Sequence, residues 1–342
     1  MKSCYINSVA SISAQDTLEK THFLNKIIAH KSVTVNAFHP NYKTFIDVVA
    51  SRRMATGVKM GVTTAIVALR KAQIIVPDAI IIGTGMGCIE DSEKFLDDII
   101  NDDEQYLTPT LFIKSTHNTV GAQIALSINC KGYNITYVHG AASFPLALFD
   151  AQLMLHENEA KTVLVGGVDE LGKQFINEVI RLEEMNSKGI TVPFGEGANF
   201  FLLSSKKQIN TYAMLKNVNI FHIIELNNLQ QKLEKFLNQN QLSISDVDVV
   251  LLGCNGDVYD NYYHLLQESA FERTPQIQYK HLSGEFFTSL AFGFWIASNL
   301  IKKQYIPDTL LLNSIKKSEY KNVLLYNQFK GHQHSFILLT SC

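Results

Sequence analysis

Short apolar runs and longer amphipathic stretches alternate along the chain. "AIII" (79–82), "TVLV" (162–165), "VDVVLL" (247–252) and "NVLLY" (322–326) are runs of strand length, rich in β-branched residues and leucine. Such runs suit strands covered on both faces. Helical patterns lie between them. "RRMATGVKMGVTTAIVALRKA" (52–72) places Met54, Val58, Val62, Ile66 and Leu69 at helical spacing, predicting a long amphipathic helix. "SFPLALFDAQLMLHE" (143–157) puts Ser143 at an N-cap position and Pro145 in the first turn, where proline is tolerated. "DSEKFLDDIIN" (91–101) carries its carboxylates early, as the helix dipole prefers. Strands alternating with helices imply an α/β fold with right-handed crossovers.

The pattern occurs twice. "DAIIIGTG" (78–85) is echoed by "DVVLLGCNG" (248–256), and "ITYVHG" (135–140) by "IQYKHLSG" (277–284). "KTVLVGG" (161–167) is echoed by "KNVLLYN" (321–327), and "NFFLLSS" (199–205) by "SFILLTS" (335–341). One short echo is chance; four in the same order indicate two copies of one unit. The expected halves are 1–205 and 206–342, meeting near "SSKKQIN" (204–210) and packed as one compact body with stacked sheets and helices between and outside.

The 342 residues are 46% hydrophobic and 18% charged, enough apolar surface for a large core. A net charge of −2 without a basic block argues against nucleic acid as the main partner. Five scattered cysteines form no CxxC pair, so neither a zinc site nor a disulfide framework is suggested, and a reducing compartment fits. The N-terminus lacks a signal-peptide pattern, and "SLAFGFWIASNLI" (289–301) has the length of a buried core helix, not a membrane span. The expected location is cytoplasmic.

With these elements in place, the sequence resembles a β-ketoacyl synthase of the thiolase superfamily. The resemblance is carried by "RRMATGVKMGVTTAIVALRKA" with "AIIIGTGMG", by "STHNTVGAQIALSINCKGYNITYVHGAASFPLALFDAQLML" (115–155), and by "TVLVGGVDE" (162–170) and "FGEGANFFLLS" (194–204). The "STHNTVGAQIAL" run is similar to the short bacterial branch of aryl-polyene and flexirubin-type clusters. The implied fold is the duplicated, layered αβαβα of the thiolases.

The resemblance also implies which side chains should react. A decarboxylating condensation uses a thiolate, two imidazole donors and a backbone oxyanion hole. At the matching positions stand Ala142, Gly253 and Glu285; Lys280 is kept, and the glycine-rich loop is reduced to Asn327, Phe329 and Gly331 of "NQFKGHQHSF" (327–336). The resemblance therefore implies a chain-length factor, a non-catalytic homologue that pairs with an active ketosynthase serving an acyl carrier protein. Thr116, His117, Asn118, Thr119, Phe144 and Phe149 are the expected tunnel-lining residues. No cofactor and no metal are implied, and a homodimer in isolation stays open.

Other readings of the same residues are kept beside this one. Ser143 with His139 as its base would make an acyltransferase or hydrolase; Ser143 as a helix cap would not. A homodimeric acyl-binding scaffold is a third. Cys254 is read as a small buried hydrophobe before a nucleophile. His332 and His334 would face one side of a strand, as metal ligands do, but lack a third ligand. "GTGMGC" (83–88) misses the third glycine of a dinucleotide fingerprint and reads as a strand-end turn. Glu285 is expected to pair with Lys280.

Overall fold

The computed structural model describes residues 3–342 apart from 21–22, 103, 106, 108 and 186–190. The first half runs β1 (Tyr5–Ile12), α1 (Val48–Ser51), α2 (Thr56–Lys71), β2 (Ala79–Gly83), α3 (Ile89–Asn101), α4 (Pro109–Ser115), α5 (Thr119–Ser127), β3 (Tyr133–Tyr137), α6 (Ser143–Glu157), β4 (Thr162–Asp169), α7 (Lys173–Met185) and β5 (Gly197–Ser204). The second runs β6 (Ala213–Ile223), α8 (Leu229–Gln239), β7 (Val249–Leu252), α9 (Asn261–Glu268), β8 (Gln276–Gln278), α10 (Lys280–Ser283), α11 (Leu290–Lys303), β9 (Asn322–Phe329) and β10 (His332–Thr340). The helix expected from residue 52 begins only at Thr56, because residues 52–54 form a turn.

The strands lie in the order β3-β2-β4-β5-β1-β6-β10-β9-β7-β8. Read from the centre outwards, the halves mirror one another, and the four sequence echoes fall on β2/β7, β3/β8, β4/β9 and β5/β10. The likeness reaches individual atoms. Asp78, just before β2, accepts the amides of Lys161 and Thr162 at 2.9 Å each. Asp248, just before β7, accepts those of Lys321 and Asn322 at 2.9 Å each. In both halves one carboxylate fixes where two parallel strands start.

Between the halves the ladder is short, Tyr5 against Met214 and Ile6 against Ala213. The apolar packing is what joins them. One core holds α6 and α11 together with strands of both halves. A second holds α2 against the outer face of the first half, and a third holds α8 and α9 against the second. Helix, sheet, helix, sheet, helix is the layered thiolase-like arrangement. Because α11 is covered on all sides, Leu290 to Ile301 are all buried, which accounts for its apolar run. Among the described residues no helix is long and apolar enough to cross a membrane.

At the middle of this core, Phe294 of α11 meets Phe201 of β5 at 4.7 Å and Phe144 of α6 at 5.7 Å between ring centroids. Phe144 is fully buried there. It belongs to this chain's own core and not, as expected, to a tunnel wall. Truncating Phe294→Ala leaves a hole between two rings from different layers. The expected loss is about 3–5 kcal/mol, read as a lower midpoint in chemical denaturation.

Candidate functional site

The strand β3, the turn after it and α6 form the mount that the sequence suggested for a nucleophile. Gly140 takes φ +56°, a backbone conformation open to glycine, and so turns the chain into a single 3-10 turn at Gly140–Ala142. On the neighbouring strand, a Cβ on Gly83 would fall 2.5 Å from the Phe144 amide nitrogen, so glycine lets α6 approach β2 closely. Ala142 sits at the tip, 7% exposed.

The amides of residues 141 to 143 already have acceptors. Ala141 N–H donates to Gln333 Oε1 at 2.9 Å. Ala142 N–H donates to the His139 carbonyl at 3.1 Å, and Ser143 N–H to the Gly140 carbonyl. A backbone oxyanion hole needs amides aimed at an empty position; here the tip's amides point into the protein. Gln333, from the β9–β10 hairpin, was not singled out from sequence and carries no sequence signal that would have marked it.

Ser143 is neither nucleophile nor cap. Its side chain is fully buried. The hydroxyl donates to the Thr84 carbonyl at 2.8 Å and accepts the His139 amide at 2.8 Å, tying the ends of β2 and β3 together. The α6 N-terminus has no side-chain cap. The His139 ring is exposed beside Tyr137, so the structure contradicts the pairing of Ser143 with His139 as a base.

The second half contributes filled space. A Cβ on Gly253 would fall 2.1 Å from Asn327 Oδ1 and 3.1 Å from the Tyr263 hydroxyl. Asn327 in turn accepts from the buried Tyr279 hydroxyl at 3.2 Å. Any side chain at 253 would collide with this group. Neighbouring Cys254 is largely buried, which pushes its thiol up to about 12, far from thiolate chemistry at neutral pH.

Glu285 and Lys280 are brought together as expected, Nζ to Oε2 2.7 Å, with Lys280 fully buried. Burial pushes the Glu285 carboxyl up, while the Lys280 charge pulls it down. Where the resemblance places the second imidazole, the pair brings matched charges together, since a lone buried ion would cost several kcal/mol.

His332 and His334 do not face one side. Gln333 takes φ +50° and breaks the alternation. His332 is exposed and stacks on His222 at 5.7 Å. His334 is buried, its Nδ1 3.0 Å from the Tyr326 hydroxyl and its Nε2 3.1 Å from the Gly331 carbonyl. Among the described residues, no three His, Cys, Asp or Glu side chains gather as a metal site would require.

A cavity of about 340 Å³ opens beside Glu285, walled by Ile89, Phe175, Ile176, Phe286 and Phe329. Its polar floor is the pair Asp169–Glu170, which the sequence shows after β4 but which was assigned no role. Asp169 Oδ1 accepts Thr84 Oγ1, Gly85 N and Met86 N at 2.9, 2.7 and 3.2 Å. Its Oδ2 accepts Thr288 N and Oγ1 at 2.9 and 2.8 Å. The "GTGMGC" segment is thus a strand-end turn held by a carboxylate. Glu170 accepts Gly57 N at 2.5 Å and Glu90 N at 3.0 Å, joining the N-termini of α2 and α3.

Of the expected tunnel residues, Thr116, His117, Asn118 and Thr119 lie together at the α4–α5 junction, half-buried or exposed. Thr116 Oγ1 lies 2.9 Å from Thr119 Oγ1. Phe149 stands 47% exposed on the open stripe of α6. None of these lines the cavity.

The profile of the family described as beta-ketoacyl synthase, N-terminal domain, matches residues 8–204. No curated protein matches the sequence. Solved structures match across the whole chain. "The ishigamide ketosynthase/chain length factor" has a TM-score of 0.82 at 13% identity, covering 100% of this chain and 99% of that one. A type II PKS acyl-carrier protein in complex with its ketosynthase bound to the hexaketide has 0.78 at 14% identity, covering 100% of both. A ketosynthase in complex with its chain length factor from Xenorhabdus doucetiae has 0.76 at 13% identity, covering 100% and 98%. At these identities the likeness shows the fold.

Two outcomes follow from the geometry. Introducing a thiol by Ala142→Cys gives no acyl adduct by intact-mass spectrometry after incubation with carrier-protein thioesters, because the amides of 141 to 143 are already bonded within the protein. Separately, burial raises the Glu170 carboxyl from its ordinary 4.5 to about 7. Between those values the folded chain binds the extra proton, so this group's contribution to stability falls as pH rises, by on the order of 3 kcal/mol. Thermal midpoints between pH 4.5 and 7.5 should fall less steeply with pH for Glu170→Gln than for the wild type.

Proposed function

The chain belongs to the beta-ketoacyl synthase family yet carries alanine, glycine and glutamate where the resemblance places a thiol and two imidazoles, and from this premise we propose that it acts as a chain-length factor. It pairs with a catalytically complete ketosynthase and bounds the tunnel in which that subunit, fed by an acyl carrier protein, extends its product. The observation that carries this reading is the turn at Gly140–Ser143: the strand–turn–helix junction is present, the tip is Ala142, and the amides of 141 to 143 are occupied.

The surface supports the pairing. β3 is the edge strand of its half, open on one side. An unpaired edge is a template for another chain unless it is covered. Tyr133 and Val138 beside it, and Phe149 and Leu153 on α6, are 38–47% exposed. The α4–α5 junction, with Thr116, His117, Asn118 and Thr119, precedes this edge in the chain and supplies the groups that would reach the partner's acyl chain. Solved neighbours described as ketosynthase/chain length factor complexes fit this assignment.

Co-expression with a Cys-His-His ketosynthase from the same organism should yield a stable 1:1 complex, whereas the chain alone shows no condensing activity. Independent turnover by the purified chain would sink the proposal. In the active complex, Asn118→Trp should shorten the product by at least one extension unit while leaving the complex intact, as read by mass spectrometry of the released chains.

A further inference from the structure

The open stripe of α6 carries three apolar side chains and one carboxylate before its last turn. Leu146, Phe149 and Leu153 recur at helical spacing, and Asp150 stands among them. Asp150 is not idle there. The Tyr133 hydroxyl donates to its Oδ2 at 3.3 Å, and Tyr137 stands near the same carboxylate, its hydroxyl pushed up to about 12 by burial and then by the Asp150 charge. Both tyrosines come from the edge strand β3. Glu159 adds further negative charge near Tyr133. The Tyr133 hydroxyl and α6 thus hold one carboxylate on the face that the pairing proposed above would cover.

A second copy of this chain meets a problem at that face. Antiparallel pairing of β3 with itself, in full overlap, sets Tyr133 of one chain opposite Tyr137 of its mate, with Cα atoms about 5 Å apart. Tyr133 bonds to its own chain's Asp150 and Tyr137 stands near it, so closing the edge draws two carboxylates toward one another while water is removed. Like charges brought together in an interface cost several kcal/mol. A partner that brings a lysine or arginine to the same place meets a carboxylate already held for it by the Tyr133 hydroxyl.

We propose that Asp150, positioned by Tyr133, is the partner-selecting residue of this chain: it rejects a second copy and admits a ketosynthase subunit that presents a Lys or Arg. This rests on the pairing reading. Specificity of this kind works by repulsion of the wrong partner as much as by attraction of the right one.

The test uses the full-length chain. Sedimentation equilibrium should find the wild type monomeric where Asp150→Leu self-associates, with self-affinity raised at least about tenfold. In the complex with the co-expressed ketosynthase, Asp150→Asn should weaken pairing at least about tenfold, and the wild-type affinity should fall with added salt more steeply than the variant's. A wild type that dimerises as tightly as Asp150→Leu overturns the proposal, as does a variant that stays monomeric or pairs with the ketosynthase unchanged. Leu153→Arg separates the two readings. If it abolishes pairing while Asp150→Asn does not, only the selector role of Asp150 fails. If it leaves pairing intact, this face is not the interface and the pairing through it fails as well.

Discussion

Asp169 is the interaction on which the rest is assembled. A carboxylate fully removed from water is costly unless its acceptors are filled. Here it accepts two groups from the 288 position of the second half and three from the turn after β2 in the first. Burial pushes its pKa up and these donors oppose that push. The consequence is geometric. The turn at 84–87, the mouth of α11 and the end of β4 are tied at one point. The β3–α6 turn is joined to it through Ser143 and Thr84. The site's backbone is therefore set by groups that take no part in acyl chemistry.

That arrangement explains how reacting side chains could be replaced without the scaffold moving. Ala142 occupies a turn whose shape depends on Gly140 and on Ser143's two hydrogen bonds. Gly253 faces Asn327 and the hydroxyls of Tyr263 and Tyr279, which fill the space a side chain would need. Glu285 was admitted with its counter-ion, Lys280. Gly253 and Glu285 are thus each matched by their neighbours.

The fold was legible because its signals are periodic and repeated. Runs such as "AIII" and "VDVVLL" became buried strands, and the four echoes became the mirrored strand order. The Lys280–Glu285 pair was legible from charge alone. What was not legible depends on which side of a turn a short polar group faces. Ser143 looked like a cap, yet its oxygen points back to β2 and β3 because the first turn of α6 is preceded by a 3-10 turn. Phe144 looked available from the first turn of a helix, but α6 is the inner layer and that turn is covered. Gln333 reaches 192 positions along the chain to Ala141, a contact no local pattern encodes.

The twin clamps of Asp78 and Asp248 carry a different lesson. Each sits at the far end of its strands from the site and fixes strand offset through main-chain amides, which any residue supplies. The two halves thus share the same foundation, while their rims differ: the first carries the turn at Gly140–Ser143 and the second the Asn327 group and the Lys280–Glu285 pair. A duplicated fold anchored at its base in this way separates heredity of shape from heredity of chemistry. It is the kind of architecture in which an enzyme can become a mould for another enzyme's product without first becoming unstable.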